Sequence, residues 1–197
     1  MSEPGPEDPG GLLSAGSERR CRARLAAAAG QGAAAAAVLV PLCSVRGRPA
    51  VLFTLRSRRL GGPHSGDVSF PGGRRDPADA DAVATALRET REELGLELTE
   101  QNVWGQLRTL PDRQGLMVAP VVANLGPLEN LTLAPNPDEG YTHFRTAGRY
   151  SYTLPVFLNG PHRVWGLTAV ITELTLELLA PGRYRRKTVV PARHRSA

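Results

Sequence analysis

Residues 72–96, GGRRDPADADAVATALRETREELGL, constrain the fold of this chain more than any other stretch. Two glycines follow an apolar segment, and Gly95 is a typical helix stop. Between them, Asp76 fits an N-cap, Pro77 fits the first helical position and Asp79 fits the third position of a capping box. These signals predict a strand, a glycine turn and then a helix of about 18 residues, roughly 27 Å long.

One face of the predicted helix is suited to packing on a core. Residues spaced i, i+4, i+7 and i+11 fall on a single stripe at 100° per residue. They are Val83, Leu87, Thr90 and Leu94. We expect this stripe to face the sheet, which leaves the other side of the helix for chemistry.

A second stripe of the helix carries three carboxylates. Glu89, Glu92 and Glu93 are spaced i, i+3 and i+4, and like charges at that spacing destabilise a helix by about 0.2–0.5 kcal/mol per pair. A divalent cation between them removes that cost, since Mg²⁺ prefers oxygen ligands and shares them with substrate phosphates. Three glutamates alone would indicate a solvated acidic face. Their place after a strand, a glycine turn and a capped helix favours a metal site.

The whole stretch resembles the Nudix box, which reads Gly, five residues, Glu, seven residues, Arg-Glu-apolar-x-Glu-Glu-x-Gly-apolar. The matching residues are Arg88, Glu89, Glu92, Glu93, Gly95 and Leu96. Three departures are visible: Asp79 stands in place of the first Glu, eight residues separate it from Arg88, and Thr90 takes the apolar position. The coenzyme A diphosphatase branch of the family tolerates the extra residue, so the resemblance points to that branch.

The preceding loop extends this resemblance. Leu-Phe-Thr-Leu-Arg-Ser-x-x-Leu at residues 52–60 and Gly-x-Val-Ser-Phe-Pro-Gly-Gly at 66–73 are similar to the sequence before the box in coenzyme A diphosphatases. Small residues and cations suit a loop that cradles phosphates, although many ordinary surface loops are also basic. The resemblance covers residues 36–182, apart from one gap.

The resemblance implies metal-dependent hydrolysis of the pyrophosphate bond of coenzyme A or an acyl-coenzyme A. The products would be phosphopantetheine, or its acyl form, and adenosine 3',5'-bisphosphate. It assigns catalysis to Arg88, Glu89, Glu92 and Glu93, with Mg²⁺ or Mn²⁺ on the three glutamates and Arg88 bracing them. It assigns substrate binding to Arg56, Ser57, Gly72 and Gly73.

The remaining pattern predicts the elements of a Nudix α/β/α sandwich with a mixed sheet. Strands are predicted at residues 33–43, 50–56, 103–110, 116–125 and 149–158, and a closing helix at 167–179. Pro120 predicts an edge or a bulge in its strand, because proline lacks the amide donor. Trp165 could stack on an adenine, but anchoring the closing helix is the preferred interpretation.

The sandwich is predicted to be incomplete after residue 139. Members of the family continue from this point with a strand and a helix, whereas nothing between residues 124 and 149 supplies that pattern. The alternative function is therefore a catalytically inactive Nudix variant that binds a nucleotide or a partner, or a chain that folds poorly.

Composition predicts three regions. Residues 1–30 are a disordered or transit-like segment, within which residues 17–29 could instead form a surface helix capped by Ser17. Residues 31–182 are the Nudix domain, and residues 183–197 are a disordered basic tail. The tail has six Arg or Lys residues and no acid, which exceeds the +5 formal charge of the whole chain. Since the rest is about neutral, no specific nucleic-acid partner is expected, and an RNA-binding alternative depends on the tail alone.

Cysteine content and hydropathy bear on the compartment. Cys21 and Cys43 are far apart, which excludes a disulfide framework and favours a reducing interior. No apolar run approaches the ~20 residues of a membrane span. The family resemblance implies a mitochondrial location, with the cytoplasm and peroxisome as alternatives. The expected partner is the small-molecule substrate, and the oligomeric state is left open.

Overall fold

The computed structural model describes residues 11–28, 33–55, 66–133, 155–158 and 160–186. Several predictions lie outside these ranges. They concern the loop with Arg56 and Ser57, the region after Glu139, most of the predicted strand at 149–158 and the tail beyond residue 186.

A mixed sheet forms the centre of the described chain. The strands are β1 (Ala36–Val45), β2 (Arg48–Val51), β3 (Thr54–Leu55), β4 (Val68–Ser69), β5 (Gly72–Arg74), β6 (Val103–Gln106), β7 (Leu110–Pro111) and β8 (Met117–Pro127). β1 pairs in parallel with β8 on one side and antiparallel with β5 and then β2 on the other. β6 and β7 pair antiparallel with β8, and β3 pairs with β4 as a separate ribbon. The apolar runs of β1 and β8 follow from this central position, because both faces are covered.

Helices cover both faces of the sheet, which confirms the α/β/α sandwich. The α-helices of the described residues are α1 (Ala15–Ala27), α2 (Ala82–Leu94) and α3 (Gly166–Leu179). One face of the sheet, with Leu39 and Val121, shares a buried cluster with α2. The other face, with Val40 and Val122, shares a cluster with α1 and α3. The closing helix predicted from residue 167 is therefore confirmed and begins one residue earlier.

The first helix is part of the core, so disorder is the wrong prediction for residues 11–28. α1 starts at Ala15 with Ser14, not Ser17, as its N-cap. Cys21 and Leu25 are buried at 0% and 3% exposure against the sheet and α3. Arg22 also donates to the carbonyl of Val103 over 2.6 Å. The basic composition of this segment gave no indication of the packing, because only Cys21 and Leu25 contribute apolar side chains of α1 to the buried cluster. The transit-like alternative stays a prediction.

Pro120 lies in a central strand, so the predicted edge position is wrong. It pairs with Val38 of β1 on one side of β8, and its carbonyl accepts from the amide of Leu107 on the other. The missing amide hydrogen of Pro120 faces this second side, where β6 has ended and β7 has not begun. The break between two short partner strands is what accommodates a proline here.

Several strand boundaries also differ from the sequence prediction: the strand predicted at 50–56 is divided into β2 and β3, and the one predicted at 103–110 into β6 and β7. Arg46 and Gly47, which both have positive φ, form a two-residue hairpin turn between β1 and β2. In the described part of the predicted strand at 149–158, Phe157 makes an isolated bridge to Val164. Within the described ranges, no helix has the length and apolar character needed to cross a membrane.

Candidate active site

The helix that carries the glutamates begins later than predicted. α2 starts at Ala82, and Asp81 is its N-cap, with a carboxylate that accepts from the amide of Ala84 over 2.9 Å. Asp76 and Asp79 instead close a separate turn, in which the amide of Asp76 donates to the Asp79 carboxylate over 2.8 Å. The capping prediction at Asp76 was wrong because aspartate side chains stabilise turns by the same hydrogen bonds that cap helices.

The packing face and the end of α2 agree with the prediction. Leu94 belongs to the buried cluster on that face, Val83 and Leu87 pack against it, and Thr90 is buried. Thr90, in the position that the family pattern gives to an apolar residue, is 0% exposed and donates its hydroxyl to the carbonyl of Ala86 over 2.7 Å. The helix ends at Gly95, which has a φ of 67°.

Arg88 is the centre of the polar face of α2. Its guanidinium donates two hydrogen bonds of 3.0 Å to the carboxylate of Asp79, from Nε to Oδ1 and from Nη2 to Oδ2. It also contacts Glu92 at 2.9 Å and Glu89 at 3.1 Å, and it donates to the carbonyl of Arg74 over 3.0 Å. One side chain therefore ties the turn before the helix, the end of β5 and two of the glutamates into one unit.

Asp79 forms this ion pair with Arg88 although its side chain is shorter than the Glu that the family pattern has at this position. The hydrogen bonds from Arg88 hold the pKa of Asp79 well below its usual range, and Asp79 in turn raises the pKa of Arg88. Both groups are therefore ionised throughout the range in which the protein would work.

The glycine pair brings the backbone of β5 against the helix. Gly72 has a φ of 151°, and a Cβ there would lie 2.3 Å from the carbonyl oxygen of Ala37 and 2.5 Å from the Cα of Val38. Glycine is therefore required at residue 72. Its amide donates to Oε1 of Glu93 over 3.3 Å, and Gly73 follows it in the ladder opposite Ala37.

The three glutamates share one side of α2 but do not converge. Glu92 is turned to Arg88, Glu93 to the amide of Gly72, and Glu89 is largely buried. Among the described residues, no group of three or more His, Cys, Asp or Glu side chains is close enough to hold a metal ion. Carboxylate oxygens are the ligands that Mg²⁺ and Mn²⁺ prefer, so the donor set fits such an ion in chemistry.

We expect Asp79→Asn to lower the free energy of unfolding by about 2 kcal/mol at pH 7, because it leaves Arg88 without its two-point partner. Folding lowers the pKa of Asp79, so its contribution is present above the unfolded pKa, about 3.9, and is lost as the pH falls through the lower, folded pKa. Urea unfolding should therefore show the difference between parent and variant shrinking below about pH 4.

Asp76→Asn is the matched control for this prediction. Asp76 is exposed, and its side chain accepts from the amide of Ala78, which an asparagine oxygen can also do. Its stability should stay within about 0.5 kcal/mol of the parent. If the loss of unfolding free energy in Asp79→Asn stayed constant from pH 7 to below the pKa of Asp79, the ionised pair of Asp79 and Arg88 would not be the cause of that loss.

A second polar cluster lies at the start of α3, and sequence reasoning found one of its members. The indole nitrogen of Trp165 donates to Oδ1 of Asp67 over 3.1 Å. The guanidinium carbons of Arg113 and Arg163 lie 5.0 and 5.1 Å from the centre of the Trp165 ring. These contacts agree with an anchoring role for Trp165. Asp67, Arg113 and Arg163 carried no sequence signal, because they come from three distant parts of the chain.

Comparison with known proteins decides the family. Residues 33–140 match the family model described as a NUDIX domain, which is more than half of the chain. The chain belongs to the Nudix family. A Mus musculus relative named mitochondrial coenzyme A diphosphatase NUDT8 is 56% identical and covers 91% of this Nudix chain and 95% of its own length. The Homo sapiens protein of that name is 58% identical, and the match covers 88% of this Nudix chain and 82% of the human protein.

More distant likenesses agree with the family without adding to it. Nudix hydrolase 3 of Caenorhabditis elegans is 37% identical, covering 79% of this Nudix chain and 78% of that relative. A crystal structure of a MutT/nudix family protein from Enterococcus faecalis has a TM-score of 0.45 and 23% identity. The match covers 55% of this Nudix chain and 42% of that protein. Because that likeness is distant, the fold rests on the sheet and helices described above and on the family match.

The alignment with the mouse relative bears on the gap predicted after Glu139. It spans 200 positions, yet 91% of this 197-residue chain is about 179 residues, so about 20 positions have no residue in this Nudix chain. That length is consistent with one short strand and one short helix. The place of the gap stays a prediction, since residues 134–154 lie outside the described ranges.

Proposed function

We propose that this Nudix chain hydrolyses the pyrophosphate bond of coenzyme A or an acyl-coenzyme A, giving phosphopantetheine or its acyl form and adenosine 3',5'-bisphosphate. The observation that carries the proposal is the face of α2 on which Arg88 orders Glu89 and Glu92 beside Glu93 and Gly72. The substrate is taken from two relatives of 56% and 58% identity that are named coenzyme A diphosphatases.

Glu89, Glu92 and Glu93 are the residues that would hold Mg²⁺ or Mn²⁺. A divalent cation at this place would offset the charge that develops on the pyrophosphate oxygens during attack by water. The face is acidic enough to need such a partner, since a pyrophosphate approaching three carboxylates and one arginine would otherwise be repelled. Arg88 would keep Glu89 and Glu92 in place, and Asp79 would keep Arg88 in place.

Glu93 is the best candidate for the proton acceptor. Its carboxylate accepts from the amide of Gly72 in β5. A carboxylate at this position could accept a proton from a water that attacks phosphorus. Gly72 and Gly73 stay proposed contacts of the substrate through their backbone atoms, since the space that a Cβ would take at Gly72 is filled by β1. Arg56 and Ser57 stay proposed contacts of the coenzyme A moiety and lie outside the described residues.

The test is direct incubation of the purified full chain with coenzyme A and either Mg²⁺ or Mn²⁺. We expect mass spectrometry to detect phosphopantetheine and adenosine bisphosphate, and a chelator to abolish both products. Circular dichroism melting of the same preparation shows whether the chain is folded. A cooperatively melting chain that forms neither product would contradict the proposed reaction and favour the inactive, binding alternative.

A mitochondrial location is proposed on the names of the two mammalian relatives. Fractionation of cells that express the full chain with a C-terminal tag tests this location. Recovery in the cytosolic or peroxisomal fraction alone would contradict it.

A further inference from the structure

The two helices on the sheet face opposite α2 are joined at one end. The guanidinium of Arg24 in α1 donates to the carbonyls of Glu177 and Leu178 in the last turn of α3, over 3.4 and 3.2 Å. The thiol of Cys21 also donates to the carbonyl of Leu178, over 3.7 Å. Arg20 is four residues before Arg24 and therefore lies on the same side of α1. This side of α1 thus lies beside the C-terminal end of α3, where the partial negative charge of the last carbonyls favours cations.

The chain that follows α3 stays at the same end of the molecule. Ala180 comes directly after α3, and its carbonyl accepts from the amides of Arg183 and Tyr184, both over 3.1 Å. Burial raises the pKa of the Tyr184 hydroxyl, and its hydrogen bond to the carboxylate of Glu173 in α3 adds to this effect. The segment therefore folds back against α3, so that its basic residues are close to those of α1.

This end of the molecule carries an excess of positive charge. The exposed arginines here form what we call the basic patch: Arg20 and Arg24 of α1, and Arg183, Arg185 and Arg186 after α3. None of them forms a salt bridge with any residue that the structure describes. Burial lowers the pKa of Arg108, and the neighbouring charge of Arg186 lowers it further. Glu173 and Glu177 are the acids near Tyr184 in α3, which leaves the patch with net positive charge.

The basic patch lies away from the candidate active site. α1 and α3 share a buried cluster with one face of the sheet, and α2 shares a cluster with the other face. α3 is 14 residues long, about 21 Å. Its start, not its end, contacts the strand that leads to the glycine pair, through Thr168 and the carbonyl of Val68. A partner bound at the patch would therefore leave the glutamate face of α2 open to substrate.

We propose that the basic patch docks this chain reversibly on an anionic membrane surface, with α2 facing away from the lipid. Such docking goes beyond the proposed reaction and does not depend on it. Arginines without carboxylate partners attract a surface of diffuse negative charge, which requires no fixed geometry of donors. Each arginine that lies near such a surface strengthens binding about fivefold. The patch joins arginines that are about 160 residues apart in the chain, so it exists only in the folded protein.

The surroundings of the patch favour lipid over single-stranded nucleic acid. Proteins that bind single strands stack the bases on aromatic side chains beside cations. Tyr184 is the aromatic residue of the segment after α3, and it is half-buried with its hydroxyl bonded to Glu173. The exposed neighbours of the α1 arginines are small, namely Ala23, Ala26 and Ala27. Such side chains let a flat surface approach the helix closely.

The test is titration of the purified full chain with lipid vesicles, followed by flotation. We expect binding to phosphatidylcholine vesicles that contain about one third phosphatidylglycerol, none to phosphatidylcholine alone, and release at about 0.5 M salt. Arg20→Gln and Arg185→Gln should each weaken the affinity for the anionic vesicles about fivefold. Arg91→Gln is the control, since it removes an exposed arginine from α2 on the opposite face and should change the affinity less than twofold.

The Arg20 variants decide between the patch and the basic residues beyond residue 186, which could bind lipid without the fold. If those residues alone were responsible, Arg20→Gln would bind like the parent, and this result would overturn the patch. Arg20→Lys keeps the charge and should bind like the parent, which separates charge from any effect on packing. Equal binding to neutral vesicles, or tighter binding to a single-stranded RNA oligonucleotide at the same salt, would also overturn the proposal. Vesicle binding needs no turnover, so a chain that hydrolyses nothing would still dock.

Discussion

The Glu93→Gln variant is expected to lose about 10²–10⁴-fold in kcat with coenzyme A, while its melting temperature stays close to that of the parent. Glutamine keeps an oxygen that can accept from the amide of Gly72, so the contact between β5 and α2 is retained. The substitution removes only the negative charge. The measurement is initial rate at saturating substrate and Mg²⁺, with thermal unfolding in parallel.

Glu97→Gln is the control for this change. This variant also replaces a carboxylate by an amide, but at a position just beyond the end of α2 where the Glu97 side chain is exposed. We expect its rate to stay within twofold of the parent. An active Glu93→Gln enzyme would remove Glu93 from the proposed role of proton acceptor and cation ligand.

Gly72→Ala is expected to be the most destabilising single methyl addition in the described chain, costing about 4 kcal/mol of unfolding free energy. The added carbon would lie 2.3 Å from the carbonyl oxygen of Ala37 and 2.5 Å from the Cα of Val38. Both atoms belong to the backbone of β1, at the centre of the sheet, so they cannot rotate away. Urea unfolding at pH 7 measures the loss, and turnover should fall with it because Glu93 loses its partner in β5.

Gly47→Ala separates steric overlap from backbone conformation. Gly47 also has positive φ, at 73°, but a Cβ there meets no atom within 4 Å. Its cost should therefore be only the conformational one, about 1 kcal/mol. If Gly72→Ala were no worse than Gly47→Ala, β1 and β5 would have to be further apart than described here.

Local signals in the sequence predicted the elements of the fold well. The glutamate helix, its packing stripe and its end at Gly95 all follow from a 3.6-residue period and one glycine. The closing helix was equally predictable, since it is apolar and ends before a proline. Helix starts were not, because Asp76 and Asp81 offer the same capping chemistry and only the surrounding contacts choose between them.

Long-range contacts were the part that sequence reasoning missed. The basic residues of α1 indicated a surface or targeting segment, yet Cys21 and Leu25 are in the core. The central position of Pro120 was also missed, because it depends on a break between two partner strands elsewhere in the chain. The contacts of Arg113 and Arg163 with the Trp165 ring were missed for the same reason, because they join distant parts of the chain.

The sequence by itself determined the family and the residues of the box, because the spacing of Arg88 and the glutamates along one helix is a local property of the chain. Only the tertiary structure decided how those residues are held. Asp79 reaches Arg88 through a turn outside α2, and Glu93 reaches Gly72 because β5 is paired with β1. Spacing places side chains on a helix face, but which atoms meet depends on packing between segments that the chain brings together from a distance.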